Sequence, residues 1–179
     1  MADGRSTGRI GAALAAALLL PALAGCGFTP LYAEPGVTPA LAGVEVITPE
    51  GRTGHLLSED LRDDLAVDRG KPPLYRLALA VNETRYARGL SSEEVATWYE
   101  LSLRVSYSLI DIASGKTLTA GVTPVSVSYN AVNDPYAGIV AQQDGQKRAA
   151  AEVAQRIRIE LGTYFAGQAV KSPGTNAGP

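Results

Sequence analysis

Between Tyr99 and Leu109 the chain alternates without a fault. Tyr99, Leu101, Leu103, Val105, Tyr107 and Leu109 share one parity, while Glu100, Ser102, Arg104, Ser106 and Ser108 hold the other. Successive side chains of a strand point to opposite faces, so this period predicts a sheet with one buried and one wet face, as antiparallel pairing allows. The preceding run, Leu74 to Tyr86, repeats the pattern more loosely, with Tyr75, Leu77, Leu79 and Val81 set against Arg76, Asn82 and Thr84. Ala113-Ser114-Gly115-Lys116 supplies a hairpin turn. The returning strand, Thr117 to Asn130, changes phase near Pro124: Leu118, Ala120 and Val122 have one parity, Val125, Val127 and Tyr129 the other. Proline has no amide hydrogen to donate, so either a bulge or an edge position is expected there.

Upstream, Val44 to Thr48 is a short β-branched strand stopped by Pro49. Leu57, Leu61 and Leu65 then recur every four residues among Glu59, Asp60, Arg62, Asp63 and Asp64, which predicts an amphipathic helix from His55 to Val67. Asn133-Asp134-Pro135 is a helix start, a capping side chain followed by proline in the first turn. The last helix is expected from Pro135 to about Phe165, with Ile139, Ala150, Val153, Ile157, Leu161 and Phe165 on its buried side. Arg148, Glu152, Arg156 and Glu160 alternate in sign at four-residue spacing and should keep their side solvated. Asp144-Gly145 is a point where that helix could bend. Residues 27–43 carry three prolines and three glycines and read as an extended tether; residues 167–179 read as a disordered tail.

The order strand, helix, strand, strand, strand, helix predicts an α+β two-layer sandwich. A small, mostly antiparallel sheet of about four strands would be covered on one face by two helices, which bury its apolar side. That domain spans residues 44–166.

Composition narrows what such a body can do. The chain has 16 Lys and Arg against 18 Asp and Glu, a net charge of −2 with no basic tract, so no nucleic-acid footprint is present. One cysteine excludes an internal disulfide, and one histidine leaves little vocabulary for zinc. As a general base His55 would need a nucleophile and an orienting acid, and the sequence holds no GxSxG-like elbow or similar signature, so it reads as a capping or surface residue. The acidic group Glu59, Asp60, Asp63 and Asp64 lacks the D-x-D-x-D-G pattern of a calcium loop and reads as a solvated helix face. No catalytic residue, metal ligand or cofactor site is expected. Arg85 and Arg88 at the end of the second strand, and Lys116 after the hairpin, are basic groups that suit phosphate oxygens or simply solvent.

The first 26 residues have the parts of an export signal. Arg5 and Arg9 give a positive start, and Ile10 to Leu20 is apolar or small throughout. That run is too short for the roughly 20 residues a membrane-spanning helix needs, so a cleaved signal over residues 1–25 is the better reading. Leu23-Ala24-Gly25-Cys26 looks like the lipobox of bacterial lipoproteins, cut just before a cysteine that carries S-diacylglycerol and an N-acyl group. A thiol suits this position because its thiolate is a strong nucleophile. Several acyl chains at about 0.8 kcal/mol per buried methylene anchor stably, where one chain is marginal. Gly27, in place of the aspartate that resembles an inner-membrane retention signal, points to the outer membrane. Removing Arg5, Arg9 and Asp3 leaves 14 basic and 17 acidic side chains, so the mature body carries a net charge of −3.

Cys26-Gly27-Phe28, followed by Pro30-Leu31-Tyr32, is similar to the start of the LPS-assembly lipoproteins (LptE family), particularly the alphaproteobacterial ones. YRLALAVNETRY resembles the family's second strand, and LRVSYSLIDIASGKTL its hairpin. VSVSYNAVNDPYAGIVAQQDGQKRAAAEVAQRIRIEL resembles its last strand and final helix. The resemblance covers most of Cys26 to Phe165. It implies a small sheet covered by two helices, anchorage at the outer membrane, and a non-catalytic role as plug and assembly aid of the β-barrel that delivers lipopolysaccharide to the cell surface. Some members bind lipopolysaccharide through basic residues. Arg88 matches one such place and Arg85 lies beside it; the other falls before Asp134-Pro135, where this chain has Ser126 or Ser128. A barrel lumen is polar and water-filled, and the Glu100–Ser108 row suits either such a wall or plain solvent. The rival from another class is an auxiliary lipoprotein of an envelope lipid-transport ABC system. GFTPLY and NDPYAG favour the first reading.

Overall fold

The computed structural model describes residues 36–90, 96–130 and 135–171. Their order is α1 (Val37–Ala42), β1 (Val44–Val46), α2 (Arg52–Asp64), β2 (Tyr75–Leu90), β3 (Ala96–Asp111), β4 (Thr117–Asn130) and α3 (Pro135–Lys171). The strands form one sheet in the order β1-β2-β3-β4. The hairpins make β2, β3 and β4 antiparallel neighbours, while β1 lies parallel to the start of β2, with Val44 opposite Tyr75. A parallel neighbour requires a crossover connection, and α2 lies on that connection. The α+β class therefore stands, with a mixed sheet and, among the described residues, three helices.

β3 is central, and its alternation is obeyed throughout: Leu101, Leu103, Val105, Tyr107 and Leu109 are buried. They meet Leu57, Leu61 and Leu65 of the α2 side and Ala150, Val153, Ile157, Leu161 and Phe165 of α3 in one core. Ala149, Ala150 and Ala154 are fully buried small residues of α3, which lets its backbone come close to its neighbours.

Several expectations change. Residues 37–42 of the expected tether are helical, and Val37 and Leu41 are buried in the core, so the packed body begins before Val44. Six residues with one proline show too little periodicity to announce a helix that exists by tertiary packing. The helix of residues 52–64 starts three residues earlier than expected, and Thr53 and Ser58 join its buried face. At the other end, α3 continues to Lys171, so residues 167–171 are helix and not tail. Ile139, expected inside, is 55% exposed. The Asp144-Gly145 step does not break α3; Gly145 is where Tyr129 lies against the helix, and a Cβ there would sit 3.2 Å from the ring.

The phase change at Pro124 does not occur. Thr123, Val125 and Tyr129 are buried while Val122 is 50% exposed, so from Thr119 to Tyr129 one parity faces the helices, and Leu118 packs on the core from the far side of the shift beside the hairpin. The register shift lies instead between Leu109 and Ile110, beside the hairpin, and Pro124 occupies an edge strand, where its missing amide hydrogen costs no ladder bond. Gly121 explains the misleading pattern. Tyr107 lies across it, and a Cβ at 121 would come within 2.7 Å of the ring. At the hairpin itself, Asp111 accepts from the Ser114 amide at 2.7 Å and its hydroxyl at 2.6 Å. Those bonds hold the Asp111 carboxyl below the ordinary range.

The Arg148–Glu160 row is not simply solvated. Arg156 Nη1 donates to the Pro124 carbonyl at 3.0 Å and Arg148 Nη2 to that of Ser128 at 3.3 Å, so the row runs along the β4 edge. The Tyr107 hydroxyl donates to the Glu160 carboxylate. Burial, followed by that hydrogen bond and charge, pushes the Tyr107 phenol above its ordinary 10.0. A group whose folded value is raised contributes stability that is complete below the unfolded value and lost as pH climbs past it. Tyr107→Phe is therefore expected to cost about 0.5–1.5 kcal/mol at neutral pH. The substituted chain should also fall less steeply than the original above pH 10.0. Parallel falls in denaturant titrations would remove Tyr107 from the account.

Candidate functional site

One sheet face is covered by helices, and among the described residues no element covers the other, the open face. On the open face the register sets Ala78, Ser108 and Ala120 in one row, then Ala80, Ser106 and Val122, then Asn82, Arg104 and Pro124. Thr84, Ser102 and Ser126 follow, then Tyr86, Glu100 and Ser128, and last Arg88, Trp98 and Asn130. Small side chains dominate the middle, so the backbone of this face is within reach of a neighbour. The far end carries the aromatic groups: Trp98 is 50% exposed and Tyr86 48%.

Arg85 and Arg88, adjacent in the sequence reading, part company here. Arg88 lies on the open face, with Nε 3.0 Å and Nη2 2.9 Å from Glu100 Oε2, and its guanidinium carbon 5.6 Å from the Tyr86 ring centroid. Arg85 has the other parity. Its Nη1 donates to Gln142 Oε1 of α3 at 2.8 Å, and its guanidinium sits 5.0 Å from the centroid of Tyr99, which stacks on Tyr129. The sheet thus separates the two cations. Lys116 is farther still, at the β3–β4 turn beside the Asp111 end of the sheet. Along strands rising about 3.3 Å per residue, that end lies some 40 Å from Arg88.

Cys26, the Asn133-Asp134 cap and residues 172–179 lie outside the described residues. Ser126 and Ser128 are exposed on the open face of β4. His55 is an exposed residue of the first turn of α2, 3.4 Å from Glu59 Oε1. Asp60, Asp63 and Asp64 line a shallow cleft of about 320 Å³ with Ala151, Gln155 and Arg158 between α2 and α3. Desolvation, then the charges of Asp64 and Asp63, hold the Asp60 carboxyl above its ordinary value. Among the described residues no group of three or more side chains converges to hold a metal.

Trp98 and Tyr86 were missed as site residues, although both carry the wet-face parity of Glu100 and Arg104. No described helix is long and apolar enough to cross a membrane.

A family model described as "LptE: Lipopolysaccharide-assembly" matches residues 40–161, more than half of the chain. The crystal structure of a Caulobacter crescentus lipoprotein is 47% identical, with a TM-score of 0.65, and the match covers 74% of this chain and 97% of that one. A minor lipoprotein from Acinetobacter baumannii shares the fold at 15% identity and a TM-score of 0.52, over 67% of this chain and 88% of that one. Lipoprotein B from Nitrosomonas europaea does so at 16% and 0.52, over 73% and 87%. No curated protein sequence matches the chain.

Proposed function

The chain belongs to the lipopolysaccharide-assembly (LptE) family, and from that premise we propose that it is a non-catalytic outer-membrane lipoprotein that plugs and helps assemble the β-barrel lipopolysaccharide translocon. It would be tethered through acylated Cys26 and would need no cofactor. The family match over residues 40–161 carries this reading. The open sheet face supports the plug role: its centre is lined by serine, alanine and threonine with Arg104 and Asn82, a polar wall suited to a water-filled lumen. Detergent extraction followed by affinity purification is expected to recover a large β-barrel protein. Recovery of an inner-membrane lipid-transport ATPase complex would instead assign the chain to that machinery.

Within this reading Arg88 is the group that meets lipopolysaccharide phosphate. Its guanidinium is on the open face beside exposed aromatic rings, and Glu100 holds it in orientation until a phosphate takes its place. Arg85, tied to Gln142 on the opposite face, serves to position the end of β2. Arg88→Ala is expected to weaken binding of purified lipopolysaccharide about tenfold, as loss of a charge-assisted bond does. Arg85→Ala should leave that affinity close to its original value. Equal losses would remove the distinction between the two faces.

A further inference from the structure

The two long sides of the sheet are treated differently. On the β4 side, Pro124 withholds one outward amide hydrogen, and Arg156 and Arg148 occupy the carbonyls of Pro124 and Ser128. These are the devices that blunt an edge against a foreign strand. On the β2 side, β1 covers only Tyr75 to Leu77, and Ile47 N adds a last bond to the Leu77 carbonyl. Since Leu77 turns its carbonyl away from β3, alternation turns the backbone groups of Leu79, Val81, Glu83, Arg85 and Ala87 the same way. Among the described residues no hydrogen bond reaches any of them. This stretch has no proline, and its pairing with β3 runs without a register shift. A free, regular edge of about 30 Å is a template for another strand.

We propose that this edge pairs with the same edge of a second copy of the chain, antiparallel about a twofold axis at Thr84. In that register Glu83 faces Arg85 of the other copy, and the symmetry repeats the ion pair. Val81 faces Ala87, Ala80 faces Arg88, and the two Thr84 side chains meet on the open face. Registers centred on Glu83 or on Arg85 would set like charges opposite, which cross-strand pairing penalises. Those centred on Asn82 or Tyr86 would set both charges against uncharged neighbours. Glu83 already accepts from Thr53 at 2.5 Å and Gln146 at 2.8 Å, and Gln142 holds Arg85, so both charges stand ready at the edge. Each carboxylate oxygen keeps lone pairs for a further donor. The interaction does not depend on the barrel reading.

The register places residue 84 in a non-hydrogen-bonded pair, where the two Cα atoms are about 4.5 Å apart, within disulfide range. The test uses the intact chain in detergent with Thr84→Cys, against the unsubstituted chain, whose single cysteine is Cys26 and whose disulfide background comes only from copies left unlipidated at that sulfur. Mild oxidation is expected to give a species of twice the chain mass well above that background. Arg85→Glu should cut the cross-linked fraction roughly fivefold or more, because two symmetric pairs turn from attraction to repulsion. Adding Glu83→Arg to it restores complementarity and should restore the cross-link. Ala87→Pro removes only an outward amide hydrogen, so it should abolish the cross-link while leaving the melting curve in place. A cross-link no stronger than background, or one indifferent to Arg85→Glu, overturns the proposal. So does a chain that sediments as a monomer at the concentration used while its β2 edge takes a strand from another protein.

Discussion

Cys26→Ser is expected to accumulate as an uncut precursor that takes up no labelled palmitate, whereas the unsubstituted chain is cut before Cys26 and carries the label. The reasoning is chemical. A serine hydroxyl does not ionise at neutral pH, while a cysteine forms the thiolate that accepts a lipid in thioether linkage. In the proposed anchored form several acyl chains, at about 0.8 kcal/mol per buried methylene, would hold the body on a bilayer, and the serine variant would lack them. The net charge of −3 over residues 26–179 would offer anionic headgroups nothing in return. Label retained at the normal level in the serine variant would refute the lipobox and, with it, the anchored role.

The second large effect is on stability. Ile157 is fully buried in α3 against the sheet, and Ile159, two positions on, is 47% exposed. Ile157→Ala should lower unfolding stability by about 2–5 kcal/mol, the transfer term of the lost methylenes plus the cavity they leave. Ile159→Ala should change it by less than about 0.5 kcal/mol. Denaturant midpoints at constant slope measure both. Equal losses would mean that α3 is rotated from the orientation described, and the arginine contacts along the β4 edge would fall with it.

Taken together, the two substitutions address different links. The first removes the expected lipid attachment and leaves the folded body intact. The second loosens the body without touching the anchor. A defect common to both would support the proposed role, in which the folded body must be held at the membrane to act.

The local pattern of side chains determined a good part of this protein. A strand's period of two and a helix's spacing of three or four are properties of neighbouring residues, so the β3 faces, the α2 leucines and the buried stripe from Ala150 to Phe165 were legible without any tertiary information. Even the separation of Arg85 from Arg88 was present in their opposite parity, although the shared basic character of the two residues masked it. What only the tertiary structure decided are the relations between distant segments. The parallel placement of β1, the helix at Val37–Ala42, the course of the exposed Arg148–Glu160 row along the β4 edge and, among the described residues, the unpaired β2 edge all depend on which surfaces meet. Gly121 shows why. With no side chain of its own it gives no parity, and its role exists only because Tyr107 of the neighbouring strand lies across it. Long-range pairing fixes register, and register assigns each side chain its neighbours; no window of adjacent residues contains that information.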